Sequence, residues 1–282
     1  MDMTHDDVST VDVPDAVATR PERSARSGRG PIIVAQTGVI ILALLVWWCA
    51  SAMLPAGIVP GPLDTFGTLV ALTTTVPFWG AVAETVWSFG VSLVLCIVIG
   101  VPLGLAIGSS RIATQSTRLV FDFLRTIPPI AILPLVLLVF GPTFEMVVVV
   151  VALGAIWPIL IQAVYAAGQG EALLKDMAAS FRIPRAWYVT RIFLPGALPF
   201  VMTGVRVGTT VCLLLTITAE LLGGAPGVGA EIAEAQVALD NPQMYAYVMV
   251  AAILGLLVNL GFWAVQRRLL HWHASNRTGT AS

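Results

Sequence analysis

Fourteen of the fifteen Lys and Arg residues fall before, after or in every second gap between six apolar runs. The runs are 32–53, 81–108, 126–140, 144–166, 198–222 and 245–266. Four basic residues precede the first run. Arg111, Arg118 and Arg125 follow the second, Lys175, Arg182, Arg185 and Arg191 follow the fourth, and Arg267, Arg268 and Arg277 follow the sixth. The gaps skipped by these charges, with their borders, hold Asp64, Glu145, Glu231, Glu234 and Asp240. A bilayer core of about 30 Å needs about 20 apolar residues per helix, and cytoplasmic loops carry the Lys/Arg excess. The pattern therefore predicts six membrane spans with both termini and the 167–197 loop in the cytoplasm.

Composition agrees with lipid as the solvent. The 282 residues are 57% hydrophobic and 11% charged, with a mean hydropathy of +0.88, where a soluble domain carries about 25% charged residues. Residues 1–30 stand apart: acids come first (Asp2, Asp6, Asp7, Asp12, Asp15), then Arg20, Arg23, Arg26 and Arg29. So little apolar content predicts a disordered cytoplasmic tail. The following run, 31–54, exceeds the roughly 7–15 apolar residues of a signal peptide and is expected to stay as the first transmembrane helix. A core then runs over 55–270, and 271–282 form a C-terminal tail. Cys49, Cys96 and Cys212 lie far apart in apolar runs without CxxC spacing, so they read as packing residues and not as disulfides or metal ligands.

Several features mark the span interiors. Gly100, Gly104 and Gly108 repeat every four residues, which lets two helices approach closely in lipid. Pro128, Pro129 and Pro134 interrupt the third run, and freed carbonyls at membrane depth are tolerated only against protein or a water-filled cavity. These three prolines are candidate pathway residues. Arg206, inside the fifth run, needs a partner, water or a route to the interface. Either it faces the pathway of an anionic solute, or it is tied to carbonyls or the inner interface. Glu220, about 21 Å further along the same helix at 1.5 Å per residue, is out of its reach and is expected to shape the outer mouth.

Catalysis is not expected. His5, His271 and His273 all lie in the tails, so no serine–histidine pair can form in a span. There is no GxxxxGK[ST] loop for ATP, and no metal or other cofactor is implied. The conspicuous polar feature is the 167–197 loop. Its segment from Glu171 to Arg182 is built of helix formers, with Leu174, Met177, Ala178 and Phe181 at i, i+3, i+4 and i+7. Such a stripe must cover either the floor of the bundle or another protein.

Within that loop Asp176-Met177-Ala178, three residues, Arg182, nine residues and Ile192-Phe193-Leu194-Pro195 follow one another. This spacing resembles the loop of the binding-protein-dependent ABC importer permeases, whose pattern is Glu-Ala-Ala, three residues, Gly, nine residues, Ile-x-Leu-Pro. Further stretches resemble the nitrate/sulfonate/taurine branch: Val101-Pro102-Leu103-Gly104-Leu105, Arg125-Thr126-Ile127-Pro128-Pro129-Ile130, Trp157-Pro158-Ile159, Thr203-Gly204-Val205-Arg206-Val207-Gly208 and Ala219-Glu220. The resemblance covers about residues 55–270. It implies an all-α membrane protein with the type I ABC importer permease fold, acting as a pore subunit in a bacterial plasma membrane. It also implies a second permease subunit (identical or different), two cytoplasmic ATPase subunits and an extracytoplasmic solute-binding protein, with a small polar, anionic solute and no nucleic acid. The loop would then be a coupling helix seated in the ATPase, carried by Leu174, Asp176, Met177, Ala178, Phe181, Arg182, Ile192, Leu194 and Pro195. Asp176, Met177 and Arg182 depart from the pattern. Arg182 stands where glycine would permit positive φ, so either the turn differs or the docking cleft is adapted to it. The rival reading is a stand-alone six-span secondary carrier or channel. A third is a membrane-embedded vitamin-binding subunit. A carrier would show mid-membrane ionisable residues or paired interrupted helices in repeated halves, and no internal repeat is visible.

Overall fold

Runs of about 20 Val, Leu, Ile and Ala residues with few charges satisfy their backbone within the segment as helices in lipid, and the computed structural model is built accordingly. It describes residues 29–54, 58–168 and 172–269. Among these it has eleven helices and no strand: α1 (Arg29–Met53), α2 (Pro62–Thr73), α3 (Val76–Gly108), α4 (Arg111–Leu124), α5 (Pro129–Phe140), α6 (Phe144–Gly168), α7 (Ala172–Ser180), α8 (Arg185–Tyr188), α9 (Leu194–Gly223), α10 (Val228–Val237) and α11 (Asn241–Leu269). A π-helical turn, Val189–Phe193, joins α8 to α9. The C-terminal tail and nearly all of the N-terminal tail expected at 1–30 lie outside the described residues; Arg29 and Gly30 already belong to α1.

The chain divides into two units, one ending at Val46 and one beginning at Trp47. The described part of the first is the N-terminal portion of α1, whose side chains from Val39 to Leu45 are exposed. The second holds everything else. In it the core centres on α6, where Met146, Val147, Val150, Val151, Ala155, Ile159 and Ala163 are fully buried. Glycines of both neighbours admit this helix. A Cβ on Gly104 of α3 would lie 2.6 Å from Ala163 Cβ and from the Leu160 carbonyl oxygen. A Cβ on Gly208 of α9 would lie 2.5 Å from Ile159 Cγ1, and one on Gly204 2.5 Å from Gln162 Cβ. Gly154 of α6 in turn seats Pro129 and Leu215. The expected close approach of Gly100, Gly104 and Gly108 is therefore the α3–α6 contact.

Four helical stretches are long and apolar enough to cross a membrane: α3, α6, the continuous run that contains α9, and α11. The pair α4–α5, bent by 78°, gives a fifth. The described apolar part of α1, Thr37–Met53, is shorter. The third run differs from its expectation. Pro128 is the N-cap of α5 and Pro129 lies in its first turn, so only Pro134 interrupts a helix. With 12 residues and about 18 Å of rise, α5 is too short to cross alone. The basic stretch before it, expected as a loop, is α4. Two further helices, α2 and α10, occupy segments also expected as loops, and α9 starts four residues before its run, with Pro195 in its first turn and Pro199 inside.

Candidate functional site

Two places gather the residues that the sequence singles out. The first is the link between α6 and α9. Asp176, Met177, Ala178 and Phe181 fall on α7 and the turn that ends it; Leu174 is in α7, but its side chain lies outside the described set. The apolar stripe is split between two surroundings. Ala178 is buried, while Met177 is 46% and Phe181 74% exposed. One side of α7 thus rests on its own chain, while the thioether of Met177 and, in the turn that follows, the aromatic ring of Phe181 stay exposed.

The helix ends at a tight turn. The Arg182 N–H donates to the Ala179 carbonyl at 3.0 Å, and the Ile183 N–H to the Ala178 carbonyl at 2.9 Å. This pair of bonds is the Schellman motif, which places the residue after the last turn in the left-handed region. Arg182 occupies that position with φ 51°. The turn is the one glycine would make; the arginine adopts it and carries the strain, about 1–2 kcal/mol for an L-residue. Pro184 follows as the N-cap of α8, where Arg191 lies over the Trp187 ring at 5.4 Å. Ile192 belongs to the π-helical turn, and Leu194 and Pro195 open α9. Pro195 and Pro199 lack the N–H groups that would bond four residues back, which suits a π turn at this place.

The second place is α9. Its buried face includes Val201, Val205, Gly208, Thr209 and Cys212, whereas Thr203, Arg206, Val207, Thr210 and Leu214 are exposed along the other. Thr203 and Thr210 donate to the carbonyls of Pro199 and Arg206. Arg206 has no side-chain partner among the described residues. It stands 12 residues into α9, about 18 Å along it, on the outward face.

Glu220 lies near the α10 end of α9 and faces the interior of the subunit. It is fully buried, and its Oε2 accepts from the Thr85 hydroxyl of α3 at 2.8 Å and from the Gly229 N–H at 3.1 Å. Thr85 Oγ1 accepts in turn from the Val228 N–H at 2.8 Å. The carboxyl therefore sits on the N-terminus of α10, where unpaired amides and the helix dipole favour an acceptor. It ties three helices together. Gly227, at φ 153°, leaves the room this group needs, for any Cβ there would strike the carboxyl. Pro128 and Pro129 are at the α4–α5 bend, and Pro134 is within α5; among the described residues Arg206 makes no ion pair with Glu220. Among the described residues no cluster of His, Cys, Asp or Glu is placed to hold a metal.

Glycine-clasped helices long and apolar enough to cross a membrane define a multi-pass helical membrane protein. The family model for the binding-protein-dependent transport system inner membrane component matches residues 100–271, and the chain belongs to that family. It is similar to the taurine transport system permease protein of Escherichia coli strain K12, 27% identical over 243 residues covering 84% of this chain and 88% of the relative. The nitrate import permease protein of Leptolyngbya laminosa is 29% identical over 189 residues, 66% of this chain and 67% of the relative. The putative aliphatic sulfonates transport permease protein of Bacillus subtilis strain 168 is 27% identical over 78% of this chain and 80% of its own length. Among solved structures, a chain of the inward-facing MetNI methionine ABC transporter matches with a TM-score of 0.59 at 20% identity, over 67% of this chain and 94% of that one. The fold is that of the ABC importer permeases.

Proposed function

We propose that this chain is the pore subunit of an ATP-driven importer in a bacterial inner membrane, paired with a second permease and driven by two cytoplasmic ATPase subunits. A solute-binding protein delivers a small anionic solute of the sulfonate, taurine or nitrate kind. The chain crosses six times, α1 and the bent pair α4–α5 included, with both termini and α7 in the cytoplasm. The open edge of α7 at Met177 and Phe181 carries this reading. A short helix outside the apolar spans, with a large apolar ring uncovered, suits a helix-in-groove contact. The unpartnered Arg206 on the outward face of α9, flanked by Thr203 and Thr210, suits an anion pathway at the junction with the second permease.

The test is co-purification of the ATPase subunits with Met177→Asp and Phe181→Asp variants. Both positions are exposed, so the fold should survive. Loss of the ATPase with the variants but not with the parent supports the docking role. Unchanged retention removes the docking role from Met177 and Phe181, whereas an ATPase that never binds, with transport that follows an ion gradient, transfers the chain to the secondary carriers.

A further inference from the structure

The turn between α10 and α11 uncovers apolar side chains that the subunit itself does not use. Val237 is 86% and Leu239 82% exposed, although the opposite side of α10, with Val228, Gly229 and Ala235, is buried. The Leu239 N–H donates to the Gln236 carbonyl at 3.2 Å, and the Asp240 N–H to the Ala235 carbonyl at 3.0 Å. This is a second Schellman turn, and Leu239 takes its left-handed position at φ 57°. Glycine adopts that conformation freely, whereas a leucine is strained in it and here leaves its side chain uncovered as well. Neither the turn nor the core gains from a leucine at this place, so a gain must come from a contact outside the subunit.

Charge selects the occupant. Glu234, one turn before Val237, is exposed. Asp240 is exposed too, and its Oδ1 accepts from the Gln243 N–H in the first turn of α11 at 3.1 Å. The outer gaps and their borders hold Asp64, Glu145, Glu231, Glu234 and Asp240, with no Lys, Arg or His. A second copy of this chain would bring the same carboxylates, and the anionic headgroups of a bacterial bilayer are repelled by them as well. A protein face with Lys and Arg around an apolar pocket is attracted. Bordering carboxylates also lower the local concentration of a free anion. Basic groups on a delivering partner would remove that barrier at the moment of docking.

We propose that the α10–α11 turn docks an extracytoplasmic protein whose apolar pocket, ringed by Lys and Arg, takes Val237 and Leu239. The assignment deepens the importer reading and rests on its orientation, with this turn outside; the partner is then the solute-binding protein of that reading.

The experiment uses the full chain in its own cells with the photo-cross-linker p-benzoylphenylalanine at Val237; the product is identified and its attachment site mapped by mass spectrometry. An extracytoplasmic protein, attached within a segment that holds Lys or Arg, is expected. The yield should fall about tenfold in Glu234→Lys, which reverses an exposed charge of the face. Leu239→Gly should lower the yield to a similar extent while leaving the unfolding temperature unchanged or raised, because glycine suits the turn. This second variant decides the matter should Glu234→Lys not fold. A product with a second copy of the chain, with lipid alone or with a segment lacking basic residues overturns the proposal. So does no product, or an unchanged yield in the folded variants. The outcome is read apart from ATPase binding. A basic partner at Val237 without any retained ATPase keeps this surface and removes the importer, whereas a retained ATPase without that partner keeps the importer and removes this surface.

Discussion

At Arg182 a single side chain stands in a backbone conformation that glycine adopts freely. The turn is held by the two bonds from the Arg182 and Ile183 amides, so the strain is paid by the residue and not relieved by a different loop. Arg182→Gly is expected to stabilise the end of α7 by up to about 1 kcal/mol, seen as slower amide exchange at Arg182 and Ile183; faster exchange would contradict it. The spacing of the sequence pattern pointed to this position, though not to which alternative the chain had taken. Glu220 was less legible. Its partner Thr85 lies 135 residues away, and no local pattern announces such a bond. From sequence, a carboxylate near the end of an apolar run is expected to shape the outer mouth, and its burial against Thr85 and α10 is visible only in the fold. Glu220→Ala leaves the Thr85 hydroxyl and the Gly229 amide without their acceptor, at about 1–3 kcal/mol for each buried group. A lowered unfolding temperature is expected, with Glu220→Gln recovering part of it.

Among the elements, helices that bury glycine faces were the most legible. The repeat at Gly100, Gly104 and Gly108 names one partner of the contact; the other, α6, is supplied by tertiary structure. Gly104→Leu should separate α3 from α6 and destabilise the protein by more than the about 1–3 kcal/mol typical of core overpacking. The matching change at Gly80, which has no neighbour within 4 Å, should leave the unfolding temperature unaltered. The helices α2, α4 and α10 were hidden for different reasons. In α4 the arginines carry the sidedness signal, and their seven-residue period is the helical one in a segment too polar to stand out as a span. In α10, Glu231 and Glu234 gave a short apolar stretch the look of a polar turn. The helix in the third run is shorter than the run itself, because Pro128 and Pro129 start it instead of interrupting it.

For the molecule as a whole, the alternation of basic and acidic gaps led to the membrane class and the loop motif to the family, and both stand. The count of crossings depends on α1 and on the bent pair. Single cysteines placed at Asp64 and at Asp240 in a chain cleared of native cysteine should react with an impermeant maleimide from outside, and cysteines at Arg111 and Arg185 only after the inner face is opened. Reaction of Arg111→Cys from outside would reverse the orientation of α3 and of the bent pair.

The clasp around α6 also bears on how force travels through the protein. Backbones seated this closely on glycine cannot slide past one another without collision, so α3, α6 and α9 form a strut with little lost motion. The Glu220–Thr85 tie pins α3 to α9 again near the α10 end of α9. With an ATPase docked at α7 as proposed, a push delivered there cannot be absorbed by helices shearing inside the subunit. It would instead reach the breaks in the helices, the π turn beside Pro195 and the α4–α5 bend, or the seam with a second subunit. Loosening the clasp, as in Gly104→Leu, would then produce backlash: nucleotide turned over at the usual rate with fewer solute molecules moved per cycle.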